Sequence, residues 1–115
     1  MPDRLTDFEQ LPIEALRQIQ AEELNNYIDV KENVGGKLEV ISVRYQKGQL
    51  NQKQTDKLTD LVNRFRKIEK DELKTRTRET TKEKIIDDIK TLTAAKNMIN
   101  GLHQEVDNLL AETSK

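Results

Sequence analysis

The chain has 115 residues, 34% of them hydrophobic and 36% charged, and its formal net charge is −1. The length suits a single domain, 1–115. Typical globular domains are about 45–50% apolar and about 25% charged, so the composition predicts a sparse core. The chain contains no cysteine, which excludes disulfide-stabilised folds and thiol catalysis. It also lacks a long apolar run, so we expect a cytoplasmic protein with neither a signal peptide nor a membrane span.

The small net charge hides a separation of charge along the chain. Residues 1–33 carry three basic and eight acidic side chains, residues 34–84 carry 14 and eight, and residues 85–115 carry three and five. Acidic ends therefore flank a basic middle. This pattern favours either antiparallel self-association or the binding of a polyanion.

The first predicted helix spans 12–34 and follows a loosely held lead-in over 1–10. Pro12 suits the first helical position, because the N–H that proline lacks has no partner there. Apolar residues then recur along one broad stripe. Gly35-Gly36 is predicted to end the helix, since glycine accepts the left-handed conformation of a C-terminal cap.

The next segment, residues 37–47, is compatible with two structures. Ile41, Val43 and Tyr45 alternate with polar residues, which is typical of one short strand over 37–46. A lone strand needs a partner for its backbone hydrogen bonds, and the chain offers no second candidate. We favour a helix, whose apolar side chains would share one face; the alternative is a strand that pairs across a dimer.

Gly48 breaks the pattern, and a third helix is predicted over 51–74 with Asn51 or Thr55 as its cap. Residues 75–81 contain few good helix formers and are predicted to be a polar hinge; the alternative is an exposed stretch of one very long helix.

The last predicted helix spans 82–111 and carries the clearest pattern of the chain. Its apolar residues follow the seven-residue spacing of a helix that packs along another helix. With the apolar residues of the third helix they form a predicted interaction seam. The seam consists of Leu58, Leu61, Phe65, Ile68, Ile85, Ile89, Leu92, Ile99, Leu102, Val106 and Leu109.

Two residues interrupt this seam. Asp88 occupies a core position, although the neighbouring Ile89 can substitute for it. Gly101 costs about 1 kcal/mol relative to alanine. It either lets a neighbouring helix approach closely or is a tolerated surface residue.

The predicted fold is all-α, with three or four helices in a coiled-coil-like bundle. Helices three and four form a long antiparallel hairpin, against which helix one packs. Apolar surface left over on these helices would bury against a second copy.

Catalytic chemistry is not indicated. His103 is the only histidine and lies beside the seam, four residues before Asp107, where it is expected to bind solvent or that carboxylate. Neighbouring carboxylates on a helix diverge by about 100° and do not share an acid–base site. We therefore expect no enzyme activity, no catalytic residue, no metal or cofactor site and no small-molecule substrate.

The first functional hypothesis is a non-catalytic protein–protein interaction module: a homo-oligomeric adaptor, scaffold or inhibitor that acts through the seam. The alternative is a nucleic-acid-binding accessory protein, a regulator or a replication or recombination factor. In the basic stretch 64–78, interleaved acidic residues and the lack of an aromatic platform for bases favour a solvated helix face over a nucleic-acid site. Membrane binding is not expected. The basic stretch 64–78 would supply the nucleic-acid contacts: Arg64, Arg66, Lys67, Lys70, Lys74, Arg76 and Arg78.

Overall fold

The computed structural model describes residues 8–75 and 81–114, and within these ranges the regular structure is entirely helical. Four helices follow one another in the described parts of the chain. They are α1 (Ile13–Gln46), α2 (Gln52–Thr75), α3 (Lys82–Asn100) and α4 (His103–Glu112). The all-α prediction is confirmed. The alternative of a strand over 37–46 is wrong, because these residues belong to α1.

The helices form an elongated bundle in which the chain runs up, down and up again. Gln20 contacts Asp88, and Arg44 contacts Thr113, so α1 runs parallel to α3 and α4. The radius of gyration is 17.5 Å, against about 13 Å for a compact domain of this length.

The second leg, α2, runs in the opposite direction. Lys57, near its start, pairs with Glu105 of α4, while Ile68, near its end, lies beside Ala95 of α3. The predicted antiparallel hairpin is therefore present. No helix in the described ranges combines the length and the apolarity that crossing a bilayer requires.

The first helix does not end at Gly35-Gly36, so that prediction is wrong. A Cβ on Gly35 would lie 3.2 Å from Phe65 Cζ, so the glycine lets α1 and α2 approach closely. The helix continues because Val34, Leu38 and Ile41 are buried on either side. Burial of each such side chain contributes roughly 1.5–3 kcal/mol, which exceeds the cost of about 1 kcal/mol for each glycine.

The helix ends instead at Gln46, and the turn that follows contains Gly48, whose φ of +72° is the left-handed conformation that glycine adopts without strain. The cap of α2 is Asn51, whose Oδ1 accepts from the Gln54 N–H at 2.8 Å. Gln54 Oε1 accepts in return from the Asn51 N–H at 3.0 Å, which completes a capping box. Thr81 caps α3 by accepting from the Lys84 N–H at 3.4 Å.

The last helix is divided, whereas the sequence predicted one helix over 82–111. Gly101 and Leu102 form a turn in which the Leu102 N–H donates to the Ile99 carbonyl at 2.9 Å. This tighter bond ends α3, yet Leu102 stays buried and the stripe continues into α4. Gly101 is exposed, and a Cβ there would meet only the preceding turn of its own helix within 4 Å. It therefore does not serve the close approach of a neighbouring helix.

Among the described residues, the core consists of two clusters along the bundle. The smaller one joins the start of α1 to the start of α3 around Leu16, Ile85, Ile86 and Ile89. The partly buried Phe8 packs against it, so residues 8–10, which form a helical turn, are not the loose lead-in predicted over 1–10. The larger cluster fills the rest of the bundle from Tyr27 to Leu109. The predicted hinge over 75–81 falls almost entirely on residues 76–80, outside the described part of the chain.

The two central glycines of α1 provide a matched test of packing. Gly35→Leu should lower the free energy of unfolding by about 1–3 kcal/mol, because the side chain would overlap Phe65. Gly36→Leu should leave it close to wild type or higher, since no heavy atom lies within 4 Å of a Cβ there. Urea unfolding followed by circular dichroism measures both. Equal stabilities would contradict the close α1–α2 contact.

Ile99 and Met98 provide a second matched pair, adjacent in α3. Ile99 is fully buried, so Ile99→Asp places a charge in the core and should unfold the chain. Met98 is exposed, so Met98→Asp should keep the helical circular dichroism spectrum and a cooperative melt. A normal melt for Ile99→Asp would show that the seam is not the core.

Candidate interaction surfaces

Every residue of the predicted seam lies inside the chain. All eleven side chains have an exposed fraction of 8% or less. The seam is therefore the core of the bundle, and most of it is closed to another molecule; Ile68 and Leu102 reach the surface only in the floor of a shallow groove. Contacts with a partner have to use the outer surface.

Asp88, which interrupts the seam, is also buried. Its Oδ2 accepts a hydrogen bond of 2.6 Å from Gln20 Nε2 of α1. A hydrogen bond to a charged group contributes about 1.5–3 kcal/mol, which makes a buried carboxylate tolerable there. Gln20 is 68 residues away in sequence, so the spacing of apolar residues gives no sign of this contact.

A polar cluster joins α1 to α4 just after the Gly101 turn. Lys37 Nζ lies 2.7 Å from Asp107 Oδ1 and 3.0 Å from His103 Nε2. The same histidine nitrogen, His103 Nε2, lies 3.1 Å from Asp107 Oδ2. The hydrogen bond from Lys37 holds the pKa of Asp107 below its usual value. The predicted contact between His103 and Asp107 is present, while Lys37 was not predicted. The cluster fixes α4 against α1.

Glu105 is the centre of a second cluster, between α2 and α4. Lys57 donates to it, and Arg64 Nη1 lies 3.1 Å from its Oε2 and 3.2 Å from Asp60 Oδ2. The hydrogen bond from Lys57 lowers the pKa of Glu105, and the hydrogen bond to Asp60 raises the pKa of Arg64. Arg64 is thus held by two carboxylates of the chain itself.

A shallow groove with an apolar floor runs between the second half of α2 and α3. Its lining includes Ile68, Ala95 and Leu102. Met98 also lines it and is 53% exposed. Methionine is flexible and polarizable, and it adapts to apolar partners of different shape. The α2–α3 groove, as we call it, can therefore accept an apolar side chain or a helix face.

The remaining basic residues form a surface on the outer side of α2. We call Arg66, Lys67, Lys70 and Lys74 the basic surface. All four are exposed, and none forms an ion pair with another described residue. Leu73 lies among them and is 72% exposed. Arg76 and Arg78, which were predicted to extend this surface, lie outside the described residues.

Acid should weaken the two polar clusters. Because the pKa of Asp107 and that of Glu105 are lower in the folded chain, both carboxylates stabilise the fold above about pH 4. That contribution is lost as pH falls through the folded-state values. Lys37→Met should raise the pKa of Asp107, measured by NMR titration of its carboxyl carbon. Lys47→Met, which removes an exposed lysine at the end of α1, should leave it unchanged; equal values in all three proteins would contradict the cluster.

The described residues contain no group of three or more histidine, aspartate or glutamate side chains placed to hold a metal ion. No protein-family model matches the sequence, and neither a curated protein nor a solved structure matches it. Two features of the chain itself therefore bear on its function, the α2–α3 groove and the basic surface.

Proposed function

We propose that the chain is a non-catalytic protein–protein interaction module, a small homo-oligomeric adaptor, scaffold or inhibitor that acts in the cytoplasm. The observation that supports this most directly is the α2–α3 groove, where Met98 is half exposed beside apolar walls. An exposed apolar groove bounded by charged residues is typical of sites that bind another protein.

The shape of the bundle suits an adaptor. Its principal extents are 54, 29 and 17 Å, and the 34-residue helix α1 spans nearly the whole length. Because the apolar seam is enclosed, the bundle holds its outer surfaces in fixed relation to one another. A partner in the α2–α3 groove and a contact on another side of the bundle would then be held at a set distance.

Binding of nucleic acid is the second candidate function, and the basic surface supports it. Its four cations lie within nine residues of one helix and have no acidic partner in the described chain. Such a row can follow a phosphate backbone, with an affinity that falls steeply as salt rises. Glu69 does not compete for these cations, because it is paired with Lys31 at 3.6 Å. Asp71, which lies among them, reduces the positive charge of the surface.

Size-exclusion chromatography with light scattering separates the two candidates. The protein is run at low and high salt, with and without mixed DNA and RNA oligonucleotides. We expect a discrete oligomer that does not co-elute with nucleic acid. A monomer under all conditions would contradict the homo-oligomeric module.

Co-elution with oligonucleotides that fades as salt rises would instead establish the second candidate. In that case a triple variant should show a weaker dependence of affinity on salt: Arg66→Gln, Lys70→Gln and Lys74→Gln. The plot of log K against log salt should become less steep by about 1 for each phosphate that is no longer neutralised. Lys84→Gln with Lys90→Gln, two exposed lysines of α3, serves as the control. An unchanged slope in the triple variant would remove the basic surface from consideration.

A further inference from the structure

The face formed by α1 and α2 carries opposite charges on its two helices. The two helices meet along a line where Lys31 of α1 pairs with Glu69 of α2 and Gly35 of α1 lies against Phe65 of α2. Along α1, Glu32 lies three residues before Gly35, and Glu39 lies four residues after it. Residues one turn apart share a side of a helix, so both carboxylates border this line.

Two residues of the basic surface, Arg66 and Lys70, border the same line from α2. Arg66 lies three residues before Glu69, whose carboxylate contacts Lys31 of α1, and Lys70 follows Arg66 one turn later. Leu73 lies one turn after Glu69, the residue that contacts Lys31. Glu32 and Glu39 are exposed and, like Arg66 and Lys70, have no ion-pair partner among the described residues. The face therefore presents an acidic half and a basic half, neither of them neutralised by the other.

From these positions we infer that two copies of the chain pair through the α1–α2 face, the basic surface of each against Glu32 and Glu39 of the other. This inference rests on the proposed function, for which it supplies the oligomer interface. A two-fold interface uses the same patch on both copies, so a face with an acidic and a basic half is complementary to itself. Every acid–base contact then occurs twice.

Gly36 and Leu73 give this face its apolar complementarity. The presence of Gly35 is explained by Phe65, but nothing lies within 4 Å of a Cβ on Gly36, so no contact inside the described chain requires a glycine there. Gly36 lies one turn after Glu32 and leaves the surface of α1 open at that point. Leu73, 72% exposed, lies within the basic surface that would face this opening in the other copy. Pairing therefore buries the most exposed of the large apolar side chains in the described chain.

A polyanion would account for less of this face. It would bind Arg66 and Lys70 but would be repelled by Glu32 and Glu39, and it would leave Gly36 and Leu73 without a role. A second copy satisfies all of them. Lys67 of the basic surface also lines the α2–α3 groove, whereas Arg66 and Lys70 are not among its lining residues. Pairing through Arg66 and Lys70 would therefore keep the floor of the groove open for a partner.

Charge reversal on each half tests the interface. Arg66→Glu with Lys70→Glu should raise the dissociation constant of the self-associated chain by roughly tenfold or more, because attractions become repulsions. Glu32→Lys with Glu39→Lys should do the same. Mixing the two variants should restore a one-to-one pair, since their reversed charges are again complementary. Analytical ultracentrifugation gives the constants, and circular dichroism confirms that each variant is folded.

Two further variants complete the design. Lys84→Glu with Lys90→Glu makes the same change in charge on α3 and should leave the dissociation constant within about twofold of wild type. Gly36→Leu should keep the fold and weaken association.

Reversed variants that associate as tightly as wild type would overturn this interface while leaving the proposed function in place. A wild-type chain that stays monomeric at all concentrations would overturn both. If that monomer binds oligonucleotides and releases them on Arg66→Glu with Lys70→Glu, the basic surface serves nucleic acid instead.

Discussion

The packing of α1 against α3 and α4 is the contact on which the rest of the bundle depends. A chain with 34% hydrophobic residues cannot fill a sphere, but a 34-residue helix can bury one continuous stripe along its length. This stripe exists only because α1 stays helical through Gly35-Gly36. If the helix ended there, Leu38 and Ile41 would leave the core, and Lys37 could not reach His103 and Asp107.

Enclosing the apolar stripes determines where function can reside. The seam that best predicts a partner helix packs against other helices of the same chain, so under the proposed function a partner would bind side chains that the core does not need. Those are Met98 in the α2–α3 groove, Leu73, and charged residues without an ion-pair partner among the described residues, such as Arg66 and Lys70. The charged residues nearest the helix contacts are used differently. Lys57 and Arg64 form ion pairs with Glu105. These pairs hold α2 against α4, so the two cations are already engaged within the bundle.

Periodicity predicted the helices, and local chemistry predicted the cap at Asn51, because both depend on residues close in sequence. The ends of α1 and α3 could not be found that way. Whether a glycine ends a helix depends on what it faces, and Gly35 faces Phe65, 30 positions further along the chain. For the same reason no local pattern pointed to Gln20 as the partner of Asp88, or to Lys37 beside His103. The basic surface could be predicted as a row, but its separation from Arg64 required the position of Glu105.

One chain closes its own core, with α1 parallel to α3 and α4, and spin-label distances test this central claim directly. The chain has no cysteine, so labels can be placed at Glu14, Glu83 and Glu112 in pairs, with labelled protein diluted into unlabelled protein. The Glu14–Glu83 pair should be separated by roughly 10–20 Å, as for neighbouring helices, and the Glu14–Glu112 pair by roughly 45 Å, the rise of about 30 helical residues. A reversed order, or a short distance only between different chains, would contradict the claim.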